Sequence, residues 1–321
     1  MSFWKTDLGR DIFETKYAGC FSGDPESFYD SMADTFSYGN KELAARFKDM
    51  LVTGKFSPGG RIMAYIGRPE AKVSLMNCTT HEVEGDTLEA IADTAHFLMR
   101  ASSRGQGIGM NLSKLRPKGS AVDNAAKTST GAISFMEMLD KVGGTIGQEG
   151  RRGAMLFSMR VDHPDMWRPG SKDVLCPKCG GKGCMLCKGE GYLQYDFLTV
   201  KRIPGKVENA NISVLITDAF MQAVEQDDDW DLHFEGKSGS EEFNVVRTVK
   251  ARDLFKALAT NAWQSAEPGL LFEDTIRRMS NSDLMGERWK VVGQNACAEM
   301  CLDQDSLCCQ PTLSLSHCCF P

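Results

Sequence analysis

Apolar residues recur three and four apart in some stretches of the chain and alternate in others. NKELAARFKDML (40–51) has helical spacing behind Asn40, a residue suited to cap a helix. GDTLEAIADTAHFLMRASSRG (85–105) predicts an amphipathic helix with Asp86 or Thr87 near its start, and TSTGAISFMEMLDKV (128–142) a second capped helix. KVSLMNCTT (72–80) alternates as a strand does, and SPGGR (57–61) is a turn. RGQGIGMNLSKLRPKG (104–119) is a glycine-rich turn entering a short apolar strand, and GTIGQEGRRGAMLFSMRV (144–161) a loop entering another. NANISVLITDAFMQAVEQ (209–226) predicts strand then helix, ARDLFKALATNAWQSAEPGLLF (251–272) helix then strand, and ERWKVVGQNACAEM (287–300) strand then loop. Alternating strands and helices argue for an α/β fold with parallel pairing. No internal repeat stands out, and 171–192 is the one clear shift in composition.

Composition narrows the function classes. The 321 residues carry a net charge of −6, which argues against a nucleic-acid-coating surface. DDDWD (227–231) reads as an exposed acidic turn. No apolar run approaches the roughly 18 residues of a membrane helix, and the first twenty residues lack a signal core, so the expectation is a cytoplasmic protein.

Twelve cysteines change the picture, because in a reducing compartment thiols more often bind metal or do redox work than form structural disulfides. Cys176-x2-Cys179-x4-Cys184-x2-Cys187 suits a tetrahedral site of four thiolates, and a structural zinc is the expected ion. A redox CxxC pair or unbound thiols are the alternatives. Asn295-Ala296-Cys297-Ala298-Glu299 groups a thiol that can become a hydrogen-atom abstractor, a carboxylate base and an amide. Other features have plain readings on their own: Cys78 as core, Asp86 as a helix cap, Arg151 and Arg152 as a solvated pair, His163 in HPD as a turn residue.

NACAE with Cys308 eleven residues after Cys297 resembles the NPCGE-type finger loop of the ribonucleotide reductase catalytic subunit. That short interval resembles the class II, adenosylcobalamin-dependent group. SPGGR (57–61), LMNCTT (75–80), RGQGIGMNLSKLRPKG (104–119), RRGAM (151–155), HPD (163–165), NANISV (209–214) and AEPGLLFEDTI (266–276) resemble the same family in the same order. Ala296 stands where that family has proline.

The resemblance implies the first half of a ten-stranded α/β barrel over 57–321, an N-terminal helical segment over 1–56, and a four-cysteine zinc insertion over 171–192. It implies Cys297 as the thiyl radical, Glu299 as base, Asn295 as a sugar contact, and Cys78 with Cys308 as the reducing dithiol. It assigns Ser57, Asn77 and Gly107 to substrate, Asp86 and Arg116 to a deoxynucleotide or ATP effector, and Arg151 and Arg152 to the loop relaying effector identity. Implied with these are a ribonucleotide substrate, a thioredoxin-like reductant and a homodimer, with no membrane or nucleic-acid partner. Whether substrates are di- or triphosphates, and whether cobalamin or a separate subunit supplies the radical, stays open here. The barrel's second half follows no further in these residues, so the expectation is a fragment, one piece of a split enzyme or a frameshifted product. Its alternative function is a catalytically incomplete nucleotide-binding fragment that needs a partner chain.

Overall fold

The computed structural model describes residues 6–17, 25–148 and 151–316. Cys20, His317, Cys318 and Cys319 lie outside the described residues. Contacts divide the chain into two bodies, the larger comprising 78–103 and 107–306. The smaller comprises 1–77, 104–106 and 307–321.

Five parallel strands form the centre of the larger body: β1 (Cys78–Glu82), β2 (Gly107–Asn111), β3 (Met155–Arg160), β4 (Ala210–Ile216) and β5 (Gly269–Phe272), in the order β5-β4-β3-β2-β1. Their register sets Cys78 opposite Gly107, Ile108 opposite Met155, Phe157 opposite Ile212 and Ser213 opposite Gly269. Every residue of β2 is buried, as are the first five of β3, because a parallel sheet is covered on both faces. β5, at an edge of the five, is mostly exposed.

The crossovers explain the local sequence. Helix Leu88–Ser103 is capped by Thr87, whose Oγ1 accepts the Ala90 N–H at 3.1 Å. Asp86 is therefore released from capping. Helix Ala132–Thr145 receives no side-chain cap from the residue before it. The Ala132 N–H instead donates to Asp165 Oδ2 at 2.9 Å, so a remote residue of the HPD turn satisfies this helix end. In that turn the buried His163 donates from Nε2 to the Leu115 carbonyl at 2.7 Å and accepts the Asp165 N–H on Nδ1 at 3.0 Å. Burial pushes its pKa below the ordinary value.

The predicted strand over 72–80 begins only at Cys78, and the segment expected as a turn, SPGGR, starts in a short strand at Ser57 and enters a helix at Gly60. The larger difference lies at DDDWD. After helix Asp218–Gln226, Asp227 takes a left-handed conformation with φ 61°, and a long antiparallel pair follows, Asp229–Ser238 against Glu241–Lys250. Trp230 stands edge-on to Phe220 with ring centroids 5.2 Å apart, and Leu232 is fully buried. Charged residues on the alternate positions hide this ribbon's two-residue period from a search for apolar runs.

In the smaller body, helices Asp7–Lys16, Pro25–Ser37 and Lys41–Val52 surround Phe13, Phe28, Met32, Leu51 and Ile66. Asn40 Oδ1 accepts the Leu43 N–H at 3.1 Å, the cap that the sequence predicts. No helix of the described residues is long and apolar enough to cross a membrane.

Candidate active site and cysteine cluster

A short hairpin carries the Asn-Ala-Cys-Ala-Glu segment. Gly293 pairs with Leu302 and Gln294 with Cys301. Between them the Asn295 N–H donates to the Met300 carbonyl, and the Met300 N–H returns to Asn295 Oδ1 at 3.1 Å. Asn295 is fully buried, and its Nδ2 donates to Glu299 Oε1 at 2.7 Å. One amide thus closes the loop and orients the carboxylate. Ala298 sits at φ 69°, the strained residue that lets the chain reverse. Cys297 is exposed at the tip. Burial of part of its surroundings and then the Glu299 charge raise its thiol pKa above the ordinary range, so it remains S–H at neutral pH.

Two glycines seat the hairpin on the sheet. A Cβ on Gly109 would fall 1.7 Å from the Gln294 carbonyl oxygen. A Cβ on Gly107 would lie 2.9 Å from the Ala296 Cβ and 3.1 Å from Cys78 Sγ. The Cys78 sulfur and the residue before Cys297 therefore flank one spot on β2. Asn111 Nδ2 also donates to the Val292 carbonyl at 3.1 Å. The larger body brings Cys78, Gly107, Asn295, Cys297 and Glu299 into one neighbourhood, though Cys78 and Gly107 are far from the others in sequence.

The smaller body gathers the remaining three. Phe56–Ser57 pairs with Thr312–Leu313. The Asn77 N–H donates to the Cys308 carbonyl at 3.1 Å, and Asn77 Nδ2 to Gln310 Oε1 at 3.2 Å. Ser57, Asn77 and Cys308 thus lie along one extended strip, 308–313.

Asp86 and Arg116 engage each other. The Arg116 N–H donates to Asp86 Oδ1 at 2.8 Å and its Nε donates to Oδ2. The guanidinium also reaches the carbonyls of Ala121 and Lys237 and lies 5.3 Å from the Phe243 ring centroid. Burial outweighs the guanidinium and leaves the Asp86 pKa above its ordinary value. Of Arg151 and Arg152 the backbone alone is described, a two-residue strand opposite Gly147–Gln148.

The four cysteines of 176–187 converge. Sγ of Cys176 lies 3.7 Å from that of Cys184, Cys179 lies 3.7 Å from Cys187, and Cys187 lies 3.8 Å from Cys184. All four sulfurs lie within 4.8 Å of one another, an arrangement able to hold a metal ion. Burial raises the Cys176 thiol to about 11. Burial opposes ionisation of Cys187 as well, but the Cys184 and Gly191 N–H groups pull it down to about 6.

The cluster contains a repeat that inspection for longer periods misses. Cys-Pro-Lys-Cys-Gly-Gly-Lys-Gly (176–183) is followed at once by Cys-Met-Leu-Cys-Lys-Gly-Glu-Gly (184–191). The backbone repeats with the sequence: φ is 56°, 90° and 86° at Gly180, Gly181 and Gly183, and 49°, 85° and 77° at Lys188, Gly189 and Gly191. A Cβ on Gly183 would strike the Gly189 carbonyl at 2.7 Å, and one on Gly191 would strike the Gly181 carbonyl at 2.4 Å. The two octapeptides are thus related by a local two-fold. Val174–Leu175 pairs with Tyr192–Leu193 and closes the module at its root. Asp196 ties both flanks there, accepting the Arg168 N–H at 3.0 Å and the Thr199 N–H at 2.9 Å.

A parallel α/β half-barrel sheet with a hairpin of thiol, amide and carboxylate laid across two strands defines a thiol-bearing barrel protein. The family model described as "Ribonucleotide reductase, barrel domain" matches residues 76–319. The chain belongs to that ribonucleotide reductase family. It is 27% identical over 96% of its length to a vitamin B12-dependent ribonucleoside-diphosphate reductase of Thermoplasma acidophilum, covering 35% of that protein. It is 27% identical over 99% of its length to a putative ribonucleoside-diphosphate reductase large subunit of Frog virus 3, covering 49%. A vitamin B12-dependent reductase of Mycobacterium tuberculosis is 28% identical over 81% of the chain, with 32% of that protein covered. The chain spans about a third to a half of the length of these relatives.

Proposed function

We propose that the chain carries the radical thiol and the reducing dithiol of an enzyme that converts ribonucleotides to deoxyribonucleotides. The observation that carries this reading is the Asn295–Glu299 hydrogen bond of 2.7 Å, which holds a carboxylate beside Cys297 on a hairpin seated against Gly107 and Gly109. A thiol kept protonated suits hydrogen-atom transfer and not thiolate attack, which requires a lowered pKa.

The Cys297 thiyl removes the 3′ hydrogen atom of the ribose, and Glu299 accepts the 3′-hydroxyl proton. The 2′-hydroxyl leaves as water with a proton from the Cys78/Cys308 pair. Those two thiols supply two electrons and become a disulfide, and Cys297 returns its hydrogen atom to C3′. Per turnover, one ribonucleotide and two thiols give one deoxyribonucleotide, one water and one disulfide. Asn295 positions the base, and Ser57, Asn77 and Gly107 contact the substrate.

The exposed Cys297 sulfur is open to a radical source outside these residues, which fits adenosylcobalamin. That cofactor supplies, when bound, the radical the thiol receives. The cysteine cluster suits zinc: tetrahedral bonds of about 2.3 Å put the sulfurs roughly 3.8 Å apart, against 3.7–3.8 Å for three of the six pairs and under 4.8 Å for all. Its ion is structural, since four thiolates fill a tetrahedral site and leave no open position for a reactant. Asp86, Arg116, Arg151 and Arg152 read a deoxynucleotide or ATP effector, and a thioredoxin-like protein restores the dithiol. The working form is a cytoplasmic homodimer completed by the rest of the barrel.

The test is a single-turnover assay of the pre-reduced protein assembled with the remainder of its barrel, adenosylcobalamin and a ribonucleoside diphosphate. One deoxynucleotide and one disulfide per chain are expected, and C308S should yield neither. Product without disulfide overturns the dithiol role. The chain's limited coverage of its relatives supports a second reading for the isolated polypeptide, a nucleotide-binding piece without turnover. The same assay on this chain alone separates the two.

A further inference from the structure

Beside the cysteine cluster the larger body contains a cavity of about 340 Å³. That lies at the small end of the roughly 300–1,000 Å³ typical of ligand pockets. Its lining combines the apolar Leu186, Tyr192 and Ile203 with three cationic residues, Lys172, Lys188 and Arg202. In a chain of net charge −6 this is a local reversal of sign. Glu190 is the one acidic residue in the lining, and Lys172 lies 3.6 Å from it. The Lys188 ammonium makes no ion pair among the described residues, and the Arg202 guanidinium donates to the neutral Asn261 Oδ1 at 3.3 Å. Two cationic residues of the lining therefore have no carboxylate partner among the described residues.

The octapeptide repeat supplies a second, independent observation. Gly180 and Lys188 are equivalent positions with φ of 56° and 49°. Glycine takes this left-handed conformation freely, whereas a side chain there costs on the order of 1 kcal/mol. Gly180 lies outside the cavity lining and Lys188 within it, so the glycine of one copy is replaced by a cation at the cavity in the other.

We propose that this cavity binds a nucleoside phosphate. The base lies against Tyr192, Leu186 and Ile203, and the phosphates meet Lys188, Arg202 and Lys172. None of these residues belongs to the hairpin, to the strip 308–313 or to the Asp86–Arg116 pair, so the site is additional to those. Cys187 forms part of the same wall, and metal binding thereby shapes the pocket.

The test uses the metal-loaded chain with ¹³C-labelled isoleucine δ1 methyls, titrated separately with ATP, adenosine and inorganic triphosphate. Ile203 reports on the cavity and Ile108, buried in β2, on the sheet. ATP should shift Ile203 saturably, with adenosine and triphosphate each weaker by at least about tenfold, because each lacks half of the contacts. K188Q should weaken ATP by roughly tenfold, as loss of a charge-assisted contact does, and R202Q likewise, with Ile108 and metal content unchanged. Lys188 has no ion-pair partner to strand, so K188Q remains informative even if R202Q folds poorly. The proposal is overturned if millimolar ATP leaves Ile203 unmoved, if triphosphate binds as well as ATP, or if K188Q binds ATP normally.

Discussion

The hairpin 293–302 and the module 176–191 are both cysteine-bearing loops, and they are held by opposite means. The module brings its own four sulfurs together through a twelve-residue span and needs little from the rest of the chain. The hairpin exposes Cys297 at its tip and carries a second, half-buried thiol, Cys301, in its return strand, and its position is fixed by a sheet nearly two hundred residues earlier, where Gly107 and Gly109 make room for it. A closed set of thiols that satisfy one another suits an ion and a fixed shape. An exposed thiol beside a hydrogen-bonded carboxylate suits chemistry on something that arrives.

Four experiments would break or sharpen this contrast. Abolishing the proposed zinc site should have the largest effect, because binding and folding are one process in such modules and involve on the order of 10 kcal/mol. C179S should lower zinc from about one per chain to none and open 174–193 to protease, with the circular dichroism of the sheet retained. Next is C297A, which should lower deoxyribonucleotide formation by the assembled enzyme by more than about 10³-fold. Its Tm should stay unchanged, since Cys297 is exposed; normal turnover would remove this thiol from the reaction.

G109A tests the seat of the hairpin without touching a reacting group. Its new methyl would meet the Gln294 carbonyl at 1.7 Å, a backbone atom that cannot turn aside. A loss of roughly 3 kcal/mol in urea unfolding, together with a fall in turnover, is expected; G189A in the module, where a Cβ meets nothing within 4 Å but φ is 85°, should cost only about 1 kcal/mol of left-handed strain and leave turnover intact.

The smallest effect concerns the module's root. Burial raises Asp196 to about 6, from an ordinary value of 3.8. The folded state therefore binds this proton more tightly than the unfolded one. The stability it contributes is fully present below about pH 4 and is lost as pH rises through about 6. D196N should remove on the order of 2 kcal/mol of that pH dependence, measured as the difference in urea stability between pH 4 and 7. Parallel curves for the two proteins would sink the assignment.

What could be read from the sequence follows the same division. The four-cysteine cluster was legible because its ligands are close together along the chain and glycines allow the tight turns. The α/β alternation was legible for β2, β3 and β4 because strands buried on both faces are continuous apolar runs. The ribbon Asp229–Lys250 was not, since its acidic start resembles a turn and its apolar face is interleaved with charge. Asp165 as a cap for helix Ala132–Thr145 lies thirty-three residues from the N–H it serves, beyond the reach of local rules. The grouping of Asn295, Cys297 and Glu299 is visible in five consecutive letters, but nothing local shows that two glycines of β2 are its foundation. The octapeptide repeat was present in the letters and too short to register as a repeat.

The pairing of Val174–Leu175 with Tyr192–Leu193 has a consequence for how this chain can change over generations. Entry and exit of the module are neighbours, so the segment behaves as a cassette. A two-residue Asn-Gly turn could replace everything between those strands without disturbing the register of β3 and β4. Gain or loss of the module is then a local edit of the gene, and duplication of a single eight-codon unit is sufficient to build its two-fold cage.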